Sequence, residues 1–171
     1  MKSKSWMKFA WELGAVPEVP ASVPFGLRLQ VVTSEEEPDL FEVLAKSAGL
    51  DSSLINAGRG LQRYFSEEAP RLWRGKQRRS LAVCHGERII AGTVYLLKED
   101  EPAHLVSGPC VLSEYRNRGI GAWLLHYSLY DLQTQGLKKV FGVCKQHSIL
   151  EKYIYPKFGG AGVSCESFSV D

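Results

Sequence analysis

From Leu27 to Val32 the chain alternates apolar and polar positions (LRLQVV), which predicts a half-buried first strand. Thr33-Ser34 followed by Glu35-Glu36-Glu37 then offers a helix cap with acids in the next turn. Leu40, Phe41, Val43, Leu44 and Ala45 follow at helical spacing and predict an amphipathic helix over about Pro38 to Ala48. Between Gly49 and Arg79 the pattern is weaker. Leu54-Ile55 and Leu61, Tyr64, Phe65 suggest short helices separated by Gly58-Arg59-Gly60. Ser80–Cys84 and Ile89–Leu97, joined at His85-Gly86-Glu87-Arg88, predict a hairpin. A further strand runs from His104 to Val111, interrupted by Gly108-Pro109. After Gly119, Ile120, Trp123, Leu124, Tyr127 and Leu132 form the apolar stripe of a helix that ends at Gly136. Lys139–Cys144 is a short apolar strand, Ser148–Lys157 a second helix candidate and Gly162–Val170 a last strand. Hairpins mixed with a crossover helix predict an α/β (α+β) domain, a mixed sheet covered by helices.

Residues 1–25 are set apart from this pattern. They are basic, broken by Trp11-Glu12 and end in VPEVPASVP, so they predict an N-terminal extension, a short helix at most, before a domain over residues 26–171. The stretch lacks the uninterrupted apolar segment of a signal peptide. No apolar run approaches the ~20 residues that cross a bilayer.

Composition narrows the classes of function. The 171 residues suffice for one domain, and 44% hydrophobic with 23% charged residues is a globular balance. A net charge of +2 gives no bulk reason for nucleic-acid or membrane binding. The basic run Arg71–Arg79 reads as a solvated loop, with an anionic partner as the alternative. Cys84, Cys110, Cys144 and Cys165 show neither paired zinc spacing nor a disulfide pattern, so no metal is expected and a cytoplasmic location suits the thiols.

The chemistry concentrates in Glu114–Leu125, EYRNRGIGAWLL. At a strand–loop–helix junction the first amides of the helix lack partners and face the positive end of the helix dipole. Glycines let a phosphate approach them, and Arg116 and Arg118 add charge. A Walker loop is excluded by Ala122-Trp123, where Lys and Ser or Thr are needed. A dinucleotide fingerprint is weakened by Leu124 in place of the third glycine, and Asp131 comes too soon for the ribose acid. On these residues alone, a phosphate cradle and an ordinary glycine-tolerant turn stay level.

VLSEYRNRGIGAWLL resembles the acyl-CoA motif of the GNAT superfamily of N-acyltransferases at Val111, Tyr115, Arg116, Gly119, Gly121, Leu124 and Leu125, with Ser113 where proline is usual. Tyr155-Pro156-Lys157-Phe158-Gly159 is similar to the family's later motif, and seven residues before Tyr155 lies Ser148, where Asn is common. The resemblance implies a mixed, mostly antiparallel sheet of six to seven strands, helices on both faces and a splayed cleft for acetyl-CoA. It implies backbone groups of Pro109, Cys110 and Val111 along the cofactor, one N–H near Cys110 or Val111 serving the thioester oxygen. Arg116, Asn117, Arg118, Gly119, Ile120, Gly121 and Ala122 would hold the pyrophosphate, and Ser148 the pantetheine arm. Tyr155 would reprotonate the leaving thiolate, and His104, or more weakly His147, would be the base. The implied reaction moves an acetyl group to a primary amine in a ternary complex, on a small-molecule or peptide acceptor. A non-catalytic acyl-CoA-binding module is the alternative, and Trp6, Trp11 and Trp73 leave an acceptor pocket, core packing or a homodimer surface open.

Overall fold

A computed structural model describes residues 6–16, 26–49, 71, 74–105 and 107–165. The described strands are β1 (Trp6–Glu12), β2 (Leu27–Val31), β3 (Arg78–His85), β4 (Arg88–Leu96), β5 (Cys110–Val111), β6 (Lys139–Lys145) and β7 (Ala161–Cys165). The two longer helices are α1 (Glu37–Gly49) and α2 (Ile120–Thr134). One sheet runs in the order β2-β3-β4-β5 and another in the order β6-β1-β7. All the ladders are antiparallel. Leu105 joins the sheets, bridging Tyr95 in antiparallel fashion and Gly142 in parallel.

Each face of the longer sheet receives the helix whose apolar stripe the sequence shows. On one side Leu40, Leu44 and Ala45 of α1 bury against Ala82, Cys84 and Val94. Gly92 permits that approach, because a Cβ there would stand 2.2 Å from Leu40 Cδ1. On the other side Ile120, Leu124, Leu125, Leu129 and Leu132 of α2 pack against Leu81, Val83, Ala91 and Tyr95. Each such side chain contributes about 1.5–3 kcal/mol through burial. Asp131, too early in sequence to serve a ribose, instead ties α2 to the sheet. Its carboxylate accepts from the Tyr95 hydroxyl and from the Arg79 guanidinium.

The hairpin, α1, α2 and β6 fall where the sequence predicts them. The amino-terminal region differs. Residues 6–12 form a strand, seated between β6 and β7 with full pairing to the first. Its alternation is short but real: Phe9 and Trp11 are buried while Glu12 is exposed. The expected boundary near residue 25 therefore does not separate this strand from the fold, since β1 supplies the middle of a sheet. The short helices expected at Leu54-Ile55 and at Leu61, Tyr64 and Phe65 lie outside the described residues, as does Trp73. So does the chain beyond Cys165.

Candidate active site

The strand expected from His104 to Val111 is split, and the split makes the site. From Tyr95–Leu105 to Gly92–Cys110, three steps along β4 face five along the partner. The surplus is a bulge through Ser107, Gly108 and Pro109, with Gly108 at φ +64. Bulges leave ladder groups without their usual partners. Here the Ser107 hydroxyl takes over for one of them, accepting from the Val94 N–H at 2.9 Å and donating to the Gly108 carbonyl. Beyond the bulge Leu112 N–H donates to Ile90 O, which makes the neighbouring Ala91–Val111 pair non-hydrogen-bonded. By that alternation the N–H and C=O of Val111 point away from β4. Among the described residues nothing pairs β5 with β6, so the two sheets part after Leu105.

Tyr155 faces this bulge. Its hydroxyl oxygen lies 2.6 Å from where a Cβ on Gly108 would stand, and Leu150 Cδ1 lies 2.8 Å from the same point. The ring is fully buried and the hydroxyl has no hydrogen-bond partner. Leaving a buried hydroxyl unpaired costs about 1–3 kcal/mol, so the position is not one that packing alone favours. Burial holds the phenol well above its ordinary pKa, and the neighbouring Cys144 and Cys110 thiols push it the same way. Tyr155 closes a wide turn at Leu150–Ile154, its N–H donating to Leu150 O at 2.8 Å. Such five-residue turns recur at functional sites.

The glycine-rich loop ends at the same cleft. Ser113–Tyr115 makes a short 3-10 turn, Asn117 takes φ +62 and Gly119 φ +78, and α2 begins at Ile120. The first bond of α2 is Trp123 N–H to Gly119 O, so the amides of Ile120, Gly121 and Ala122 precede the helical ladder. Asn117, Arg118 and Gly119 are exposed, and a Cβ on Gly119 would meet nothing within 4 Å. A Cβ on Gly121 would lie 3.4 Å from Ile154 Cδ1 and 3.9 Å from Val111 Cγ2. One end of the cleft thus gathers β5, the start of α2 and the turn carrying Tyr155.

Other expected contributors are placed differently. The Arg116 guanidinium does not project into the loop. Its Nε donates to Val111 O at 2.9 Å and its Nη2 to Ser47 O at 3.2 Å, bracing α1 against β5. Arg118 lies over the Tyr115 ring and donates to Glu114 O. Ser148 Oγ accepts the Glu151 N–H, capping the turn, and is hydrogen-bonded with the Cys144 thiol, whose pKa burial pushes up to about 12. His104 is buried with both ring nitrogens engaged. Phe141 N–H donates to Nδ1 at 3.1 Å, so Nε2 carries the proton and donates to Lys98 O at 3.0 Å. Burial lowers its pKa. A histidine so held has no lone pair for an amine proton, and it pins the end of β4 to β6 where the sheets begin to part. His147 is exposed at φ +67, with its N–H on the Glu151 carboxylate. Ser107, one serine among many, went unread in the sequence, while Trp11, for which the sequence leaves core packing open, is fully buried in the core.

The unpartnered phenol, the bulge at Gly108 and the first amides of α2 thus lie at the place where the two sheets part. The model of the acetyltransferase (GNAT) family matches residues 50–151. The chain belongs to that family. Among solved structures it is similar to a tandem GNAT protein from the clavulanic acid biosynthesis pathway, at 16% identity over 96% of this chain and 52% of that one, TM-score 0.66. A GCN5-related N-acetyltransferase from Sphaerobacter thermophilus is 19% identical over 95% of this chain and 49% of its own, TM-score 0.64. The chain thus spans about half the length of both. PaiA N-acetyltransferase from Thermoplasma acidophilum, in complex with coenzyme A, is 16% identical over 65% of this chain and 74% of its own, TM-score 0.50. At these identities the likeness is one of fold. None of the curated proteins matches the chain.

Proposed function

We propose that the protein is an N-acetyltransferase that moves an acetyl group from acetyl-CoA to a primary amine in a ternary complex. The observation that carries this reading is the buried, unpartnered Tyr155 hydroxyl set against the Gly108 bulge. Acetyl-CoA brings a thioester carbonyl and a thiolate leaving group. The residues present fit such a molecule. The amides of Ile120, Gly121 and Ala122, with Asn117, Arg118 and Gly119 at the loop, receive the pyrophosphate at the positive end of α2. Arg116 shapes that loop from behind by holding Val111 and Ser47. The outward Val111 N–H lies along the pantetheine arm and serves the thioester oxygen as negative charge develops, Pro109 has only a carbonyl to offer, and Cys110, opposite Gly92, keeps its backbone groups on β4. Ser148, already engaged, holds the turn that carries Tyr155.

The amine nitrogen bonds to the carbonyl carbon and the C–S bond breaks. Tyr155 gives its phenolic proton to the departing sulfur and recovers one, by way of solvent, from the acceptor nitrogen. The books balance, since the amine loses one proton and the thiol gains one. A phenol held above its ordinary pKa stays protonated through neutral pH, as a proton donor must. No residue is assigned as base: His104 has no free nitrogen, and the acceptor is read as entering uncharged. The acceptor is a small amine, an amino acid, an aminoglycoside or a peptide amino terminus. All four cysteines are thiols and not disulfides, which favours a cytoplasmic location. No helix among the described residues is long and apolar enough to cross a membrane.

The test is thiol release from acetyl-CoA with spermidine, L-lysine, kanamycin and a tripeptide as acceptors. Amine-dependent release by the wild-type chain supports transfer. Binding of acetyl-CoA with no release for any amine would move the reading to a non-catalytic acyl-CoA module.

A further inference from the structure

Tyr155 is held by residues that no motif includes. Phe9 and Trp11 lie two apart on β1, hence on one face, and both rings meet Tyr155 edge-on, with centroids at 5.5 Å and 5.1 Å. Trp11 is fully buried, and its indole N–H donates to Lys157 O at 3.1 Å, two residues beyond the tyrosine. The indole therefore contacts both the Tyr155 ring and the backbone that follows it. Glycines make the room. A Cβ on Gly142 would stand 3.2 Å from Trp11 Cζ3, and one on Gly160 2.7 Å from Trp11 Nε1. These features have no need to converge for sheet pairing alone, which uses only the backbone of β1.

We propose that Trp11 is a positioning residue for Tyr155: from the first strand of the chain it fixes the ring and the Lys157 carbonyl together, and so sets the phenolic hydroxyl against the bulge at Gly108. The inference rests on the reading of Tyr155 as proton donor. The indole is a rigid bracket, and general-acid efficiency depends on alignment within fractions of an ångström. Loss of the N–H bond frees the chain after Tyr155 and lets the hydroxyl drift. Binding of CoA, which is held by the amides at the start of α2 and not through Trp11, is untouched.

The experiment compares Trp11→Phe, Phe9→Leu and Tyr155→Phe with wild type. Each is assayed with the best acceptor of the amine panel and two donors, acetyl-CoA and the acetyl selenoester of CoA. Selenols are much stronger acids than thiols, so a selenolate leaves without needing the tyrosine proton. For Trp11→Phe, kcat with acetyl-CoA falls about tenfold, the dissociation constant for CoA stays within about twofold, and most of the loss vanishes with the selenoester. An unchanged kcat, or an equal loss with both donors, overturns the proposal. If Trp11→Phe does not bind CoA because it does not fold, Phe9→Leu, which loosens the same ring, decides by the same donor comparison. If Tyr155→Phe itself loses no turnover, it is the proton-donor reading that falls. If Tyr155→Phe is impaired and the β1 variants are not, only the positioning role falls.

Discussion

At the residue scale, Tyr155 and Gly108 form the most informative pair. A buried hydroxyl without a partner is a standing cost, so removing it has a sign that a merely structural tyrosine would not show. Tyr155→Phe is expected to leave stability unchanged or raise it by ~1 kcal/mol, while kcat falls by about a hundredfold or more. Thermal melts and thiol-release kinetics on the same preparation check both halves. A melting point several degrees lower, with turnover intact, would put the tyrosine in the core and not in the chemistry. The motif residues around it were legible because their chemistry is local: amides, glycines and an arginine within one turn of each other. What could not be read were the distant partners. Arg116 is occupied by Ser47, 69 positions away, and His104 by Phe141, 37 positions away. The candidate base became a structural histidine for that reason, since nothing within its own strand announces both acceptor and donor.

At the scale of elements, the parting of β5 from β6 is what opens the cleft, and the His104 segment stands at the vertex. His104 N–H and Leu105 N–H both donate to Phe141 O, at 2.8 Å and 3.1 Å, and His104 O accepts from Leu96 N–H. The ring is kept neutral by burial, which lowers its pKa below the ordinary 6.5. A group with a depressed folded-state pKa binds its proton more readily when unfolded. Its contribution is therefore complete above about pH 6.5 and is lost as pH falls toward the folded value. Urea midpoints are expected to drop between pH 7.5 and pH 5.5, and His104→Gln should flatten part of that slope. Equal slopes in the two proteins would remove the histidine from the vertex. The sequence foresaw an interruption here through Gly108-Pro109. It gave no hint of Ser107, whose role comes from geometry: a hydroxyl one residue before a left-handed glycine reaches back to the amide that the bulge leaves behind.

At the scale of the whole molecule, the first and the last of the described strands meet on one sheet. β1 lies between β6 and β7, and Trp11 reaches Lys157 across 146 positions. The hydrophobic pattern showed the hairpin and both long helices because each carries a full apolar face. β1 escaped because its alternation spans few residues and a proline-rich stretch follows it, a composition that reads as a tail. A chain beginning at Gly26 loses the middle strand of a sheet and is expected to show no cooperative thermal transition near that of the full chain. Equal melting points for the two would show β1 to be an ornament.

Whether the site beside the glycine-rich loop receives acyl-CoA is decided by calorimetric titration with acetyl-CoA. The full chain should bind at one saturable site. Gly119→Glu, which sets a carboxylate where the cradle is open and strains a backbone at φ +78, should bind at least about tenfold more weakly while its far-ultraviolet spectrum is unchanged. No binding by the full chain, or equal binding by the variant, contradicts the account.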